Sequence, residues 1–234
     1  MKYLAVTLLV ILTLSGCSNS SFNNYADVQV AGEMRNVMWN GALEGKLSLD
    51  TIAKANVYGL GPLSGLQGEL LLKNGIAYVA KVTSDSSMQV FQDSKVSAPF
   101  FVYAEVREWQ KTALPNSITD PQSLDKYLNE QTTNYKRPFA FMLKGTIESA
   151  TIHLQNLPKG TEVSSPEEAH QGQINYQLQN RAVEVLGFFS TQHKGIFTHH
   201  DSNIHLHLIT NDEQMMGHVD EIVFGKIELF LPLR

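Results

Sequence analysis

The stretch from Ile204 to Val219 constrains this chain most. It holds His205-Leu206-His207, then ten residues, then His218. On a β-strand, residues two apart leave the same face, so His205 and His207 point the same way. Ile204, Leu206, Leu208 and Ile209 favour such a strand, and Thr210-Asn211-Asp212-Glu213-Gln214 is polar and turn-prone. Met216 to Phe224 is expected to return as the partner strand. A loop centred between Asp212 and Glu213 puts His218 opposite His207, with Cβ atoms about 5 Å apart. Three imidazoles so placed converge on one ion, each at roughly 2.1 Å. They leave one or two positions open, which is the layout of a catalytic zinc-like site rather than a structural one. A lone His-x-His is ordinarily a pair of solvent-facing strand residues; the third histidine at the hairpin's register is what favours a metal.

The N-terminus points elsewhere. Lys2 supplies a positive start, and Leu4 to Leu14 form an apolar run too short to span a bilayer as a stable helix. Leu14-Ser15-Gly16-Cys17 resembles the bacterial lipoprotein cleavage box. That resemblance implies cleavage before Cys17 and acylation of Cys17, the one cysteine in the sequence. The alternative is an ordinary secretory signal with a chance cysteine. Either way residues 1–17 form an export signal, and the protein is expected in the cell envelope. A lipid on Cys17 would anchor it to a membrane surface. Residues 18–26, rich in Ser and Asn, read as a tether.

The 234 residues suffice for one substantial core. With net charge −5 and no basic cluster, nucleic-acid binding is excluded as an expected function. Glu33 to Trp39 suggests a short helix, and Ser48 is placed to cap another over Leu49 to Lys54. Gly59, Gly61, Gly65 and Gly68 predict a backbone that turns tightly or approaches something closely. No dinucleotide fingerprint exists there, because Pro62 interrupts the segment. Asn74-Gly75 between Glu69–Lys73 and Ile76–Ala80 is a strong hairpin signal. Phe100 to Val106 reads as a strand, and Asp120-Pro121 as a capped helix start with Leu124, Tyr127 and Leu128 as its buried stripe. Residues 113–122 are a candidate lobe boundary. Phe139–Leu143 and Thr146–Leu154 read as two strands around Lys144-Gly145, and Ser165-Pro166 as a helix start. Ala182 to Phe189 and Ile227 to Pro232 read as further strands. His199 and His200 are extra ligand candidates in a polar loop. Many strands and few short helices argue for an α+β fold.

These residues resemble the alpha-acetolactate decarboxylase family. The likeness runs from near Val28 to Pro232. It rests on Gly59-Leu60-Gly61, Gly68-Glu69-Leu70 with the Asn74-Gly75 hairpin, and Ala98-Pro99-Phe100. It continues in Leu186-Gly187-Phe188-Phe189, His205-Leu206-His207 and Gly217-His218-Val219. The resemblance implies a two-lobed arrangement of mixed and antiparallel sheets over residues 27–234, often assembled as a homodimer. It implies conversion of 2-acetolactate, a 2-hydroxy-2-methyl-3-oxo acid, to acetoin and carbon dioxide with zinc. It makes His205, His207 and His218 the zinc ligands and Glu69 the catalytic carboxylate. By its neighbours alone, Glu69 would read as a surface residue at a strand start.

Two departures are expected. The resemblance places an arginine at the position of Met142, and a second glutamate in a tail beyond the match, which here runs to Pro232. Lys144 is the candidate for substrate charge in place of that arginine, with Arg137 and Arg181 as other sources. Weakened decarboxylation is therefore expected, or a metal- or small-molecule-binding lipoprotein that keeps the fold without turnover. A metal hydrolase ranks last, for want of a second base at recognisable spacing.

Overall fold

The computed structural model describes residues 27–233. The expected export signal, Cys17 and the expected tether lie outside the described residues. In chain order come β1 (Gln29–Ala31), α1 (Met34–Asn40), β2 (Leu47–Ser48), β3 (Val57–Pro62), β4 (Glu69–Lys73), β5 (Ile76–Ser84) and β6 (Ser87–Gln92). Then follow β7 (Ser97–Ala98), β8 (Phe101–Glu105), β9 (Trp109–Thr112), α2 (Pro121–Gln131) and β10 (Phe139–Leu154). The chain finishes with α3 (Pro166–Ala169), β11 (Ile174–Phe189), β12 (Ile204–Thr210) and β13 (Met216–Pro232). The strands are antiparallel, and the helices are few and short.

One sheet has six strands in the order β1-β8-β3-β4-β5-β6. Its centre is buried on both sides, which explains the unbroken Leu70-Leu71-Leu72 of β4. Leu71 joins the larger core, while Leu70 and Leu72 join a smaller one on the opposite face. Glu69 shares strand parity with Leu71, so it faces the larger core. Asn74 and Gly75 take positive φ, as a two-residue hairpin turn requires. Gly59 and Gly61 let β3 lie against Phe101, whose ring would meet a Cβ at 2.4 and 3.0 Å.

The second sheet has the order β10-β11-β12-β13-β9, and β10 also pairs with β13. Strands β10 to β13 therefore close on themselves, with β9 added along β13. The larger core is filled from this closed sheet and from one face of the six-stranded sheet.

Several sequence expectations are corrected here. Phe139–Leu143 and Thr146–Leu154 are one strand, β10, and Met216–Phe224 and Ile227–Pro232 are one strand, β13. The ladder continues through β-bulges near Gly145, so the glycine bends the strand instead of ending it. Gly145 has φ 148°, and a Cβ there would meet the Lys226 carbonyl oxygen at 2.0 Å. Ser48 does not cap a helix; its hydroxyl bonds to Asp50, and only one 3₁₀ turn, Leu49–Thr51, follows. The strand expected from Ala182 begins earlier, at Ile174. The helix start at Asp120-Pro121 is as expected: the Asp120 carboxylate accepts from the Ser123 N–H at 2.7 Å.

Candidate metal centre

The hairpin of β12 and β13 has the expected register, with His207 directly opposite His218. Every residue of β12 is buried, because the strand sits between β11 and β13 and under the six-stranded sheet. The hairpin tip is tied to β5 by the Tyr78 hydroxyl, which donates to Glu213 at 2.7 Å. His205, His207 and His218 each offer a ring nitrogen, and these atoms lie within 4.8 Å of one another. Ring centroids are 4.9 Å apart for His205–His218, 5.2 Å for His205–His207 and 5.5 Å for His207–His218.

The local hydrogen bonds orient these rings. His207 Nδ1–H donates to the Leu70 carbonyl at 3.0 Å. That leaves Nε2 as a lone pair, wholly buried and without a hydrogen-bond partner. His205 Nε2 and His218 Nδ1 face each other at 3.0 Å. Two lone pairs so close repel unless a proton or a cation lies between them. Burial holds the His205 and His218 pKa values well below the ordinary value, and lowers His207 to about 3. The three imidazoles are neutral at pH 7, the form a metal needs. An orphaned nitrogen, two facing nitrogens and neutral rings together fit a divalent ion of the zinc kind.

Glu69 completes the group. Its carboxylate lies 3.6 Å from His207 Nε2 and is 2% exposed. Burial raises its pKa well above the ordinary carboxylate range; the Gln155 backbone N–H opposes this, and Asp220 adds to it. Burial therefore favours the protonated form of Glu69. A bound dication would draw the value back toward the ordinary range, where Glu69 can both hold and release a proton.

Sequence reasoning missed the residues that extend this centre. On β10, His153 pairs directly with His218, and the two rings are 4.6 Å apart. His153 Nδ1 bonds to Asp220 at 2.7 Å. Gln155 and His170 adjoin them, and both line a cavity of about 30 Å³ together with Glu69, His153, His205 and His218. Met34, Met38, Leu66 and Phe100 form the apolar side of that cavity. An open cavity of about 690 Å³ lies outside it, bordered by α2 and by Asp201, Asn203 and Asp220. His199 and His218 border both cavities. His199, an extra candidate from the sequence, thus stands at the join, 5.2 Å from the His218 ring. His200 is exposed.

The other expected substrate contacts are not brought to the histidines. Lys144 pairs with Glu184 at 3.4 Å and lies over the Phe230 ring. Met142 shares a ladder row with His207, but Leu186 stands between them, so the two are about 10 Å apart. Arg137 bonds to Asn129 and covers Phe189, and Arg181 reaches toward Asp212. None of these four lines either cavity at the centre.

The family model for alpha-acetolactate decarboxylase matches residues 31–232. The chain belongs to that family. Among curated alpha-acetolactate decarboxylases, the one from Brevibacillus brevis is 27% identical over 195 residues, covering 83% of this chain and 66% of that protein. The chain thus matches slightly less than two thirds of that relative's length. The enzyme from Lactococcus lactis subsp. lactis is also 27% identical over 195 residues, covering 81% of this chain and 78% of the other. Among solved structures, the alpha-acetolactate decarboxylase of Bacillus subtilis strain 168 superposes with a TM-score of 0.71 at 19% identity, over 88% of this chain and 84% of that one. A Staphylococcus aureus protein of unknown function, similar to alpha-acetolactate decarboxylase, gives 0.67 at 16% identity over 87% and 84%. At these identities the superpositions speak for the fold.

Proposed function

We propose that the chain decarboxylates 2-acetolactate to acetoin and carbon dioxide, with zinc held by His205, His207 and His218 and Glu69 as the acid. The observation that carries this is the orphaned Nε2 of His207, buried within 3.6 Å of the Glu69 carboxylate and beside two more convergent imidazoles. When bound, the ion supplies Lewis acidity toward the substrate's ketone and hydroxyl oxygens. The protein supplies the rest. Leu70 fixes the His207 tautomer through its carbonyl. Met34, Met38, Leu66 and Phe100 form the apolar wall of the inner cavity and limit the water that reaches Glu69 and the histidines. As carbon dioxide departs, its bonding pair stays on the substrate. Glu69 then delivers its proton to that carbon.

Among the described residues, no lysine or arginine lines the inner cavity. The leaving carboxylate meets imidazoles and no fixed side-chain cation there, so turnover is slow for this family. The same observation favours the second reading, a protein that binds metal or a small hydroxy acid without turning it over. An export signal ending at Cys17 would anchor either protein to a membrane of the cell envelope.

Purified full-length chain is given racemic acetolactate, and acetoin is followed with and without a chelator. Chelator-sensitive acetoin supports the decarboxylase; stoichiometric zinc with no acetoin supports the binder. His207→Ala is expected to lose both zinc and acetoin, and full zinc retention in that variant contradicts the ligand assignment. Cys17→Ala is expected to leave the membrane fraction; its retention there argues against the lipid anchor.

A further inference from the structure

Gln155 is 3% exposed, and its side-chain Oε1 is buried with no hydrogen-bond partner. The side chain lines the inner cavity beside Glu69, His205 and His218. It lies just past the end of β10, two residues after His153, and both side chains line the same cavity. A buried acceptor without a donor is unfavourable, so an orphan in a cavity beside Glu69 and the histidines marks a place for a ligand's donor.

The rest of the amide is held by a chain of bonds running outward. Gln155 Nε2 lies 3.4 Å from His153 Nε2 and 3.4 Å from Gln173 Oε1. His153 Nδ1 lies 2.7 Å from Asp220 Oδ1. The carboxylate oxygen is the acceptor and His153 Nδ1–H the donor there. With Nδ1 turned to Asp220, Nε2 is the ring nitrogen that faces the Gln155 amide, and the amide N–H is the donor there. With both outer bonds assigned, the amide turns its Oε1 to the cavity. The donors run one way, from Gln155 through His153 to Asp220, which is partly exposed at the rim of the outer cavity.

We propose that Gln155 Oε1 accepts a hydrogen bond from the hydroxyl group of a 2-hydroxy acid whose hydroxyl enters the 30 Å³ inner cavity while its body occupies the adjoining 690 Å³ cavity, and that His153 and Asp220 are positioning residues that aim the amide. The identity of the hydroxy acid comes from the decarboxylase reading above; the hydroxyl acceptor does not depend on turnover. Glu69 is bonded by the Gln155 backbone N–H, so the same residue would register the substrate against the proposed acid. Recognition through an acceptor selects the hydroxy acid over its analogue lacking the hydroxyl, because the analogue leaves Oε1 orphaned.

The test uses two stable probes, 2-hydroxy-2-methylpropanoate and 2-methylpropanoate, titrated calorimetrically into zinc-loaded full-length chain. The native chain is expected to bind the hydroxy acid more tightly. Gln155→Leu is expected to reduce that preference about five- to tenfold, the size of one net hydrogen bond, with zinc content and affinity for 2-methylpropanoate unchanged. Asp220→Ala, at a partly exposed position, is expected to lower the same preference by a smaller factor, and it serves if Gln155→Leu does not fold. A preference as large as the native one in either folded, zinc-loaded variant overturns the proposal and assigns hydroxyl recognition to the metal alone. Acetolactate turnover is measured in parallel. Absence of acetoin from the native chain sinks the decarboxylase reading, while the probe preference still decides the role of Gln155.

Discussion

At the scale of single residues, the convergence of His205, His207 and His218 was legible because their geometry is local. A two-residue spacing on a strand and a short loop fix which faces meet. Glu69 was different. Nothing in Gly68-Glu69-Leu70 says that the carboxylate is buried; that follows from the second sheet lying over β4, and only the family resemblance singled it out. His153 and Asp220 were not legible at all. They are 67 residues apart in sequence, and their meeting depends on how β10 and β13 pair, through bulges that shift the register. Lys144 failed as a substitute cation for a similar reason: Glu184 of the neighbouring strand takes it. Glu69→Gln keeps the shape and removes the ionisable proton. It is expected to lower acetoin formation by about 10²–10⁴ while zinc content stays at the native level. Steady-state rates beside metal analysis check this, and native turnover in the variant removes Glu69 from the chemistry.

At the scale of elements, strands were readable and their lengths were not. Composition marks Phe139–Leu143, Thr146–Leu154 and Ile227–Pro232 as β-forming, and all three are. What local pattern misses is that a glycine inside a strand can bend it without ending it. Gly145 does this where β10 crosses β13, and that crossing carries His153 to His218. Gly145→Ala combines an unfavourable positive φ with a clash against the backbone of Lys226. It is expected to destabilise the fold by about 3 kcal/mol or more and to weaken zinc binding in the refolded fraction. Denaturant melts and zinc titration measure the two effects. A melt within about 0.5 kcal/mol of native, the range of an ordinary surface change, shows that the crossing tolerates a side chain.

At the scale of the whole molecule, closing β10 to β13 under the six-stranded sheet places neutral imidazoles in a buried position. This has a pH signature. The His207 pKa falls from 6.5 to about 3 on folding, and His205 and His218 fall in the same direction. Between those values the unfolded chain binds more protons than the folded one, so stability is lost as pH drops. Glu69, raised from 4.5, acts in the opposite sense as pH rises, but it is one group against three histidines. The metal-free protein is therefore expected to lose stability steadily from about pH 6.5 downward. For each histidine, every tenfold difference in proton affinity between the folded and unfolded chain corresponds to about 1.4 kcal/mol. Thermal melts across pH 4 to 8 test this, and a flat profile contradicts neutral burial of the trio. On the proposed reading zinc binds only the folded form, and it is expected to raise the melting temperature wherever the imidazoles are unprotonated.

The most direct test is zinc X-ray absorption on purified full-length chain, native and His207→Ala. The native spectrum is expected to show three imidazole nitrogens at about 2.0–2.1 Å with one or two lighter oxygen ligands, and the variant should lose one imidazole or the metal altogether. A native spectrum with fewer than three imidazoles, or one that His207→Ala leaves unchanged, contradicts the convergence of His205, His207 and His218 on a single ion.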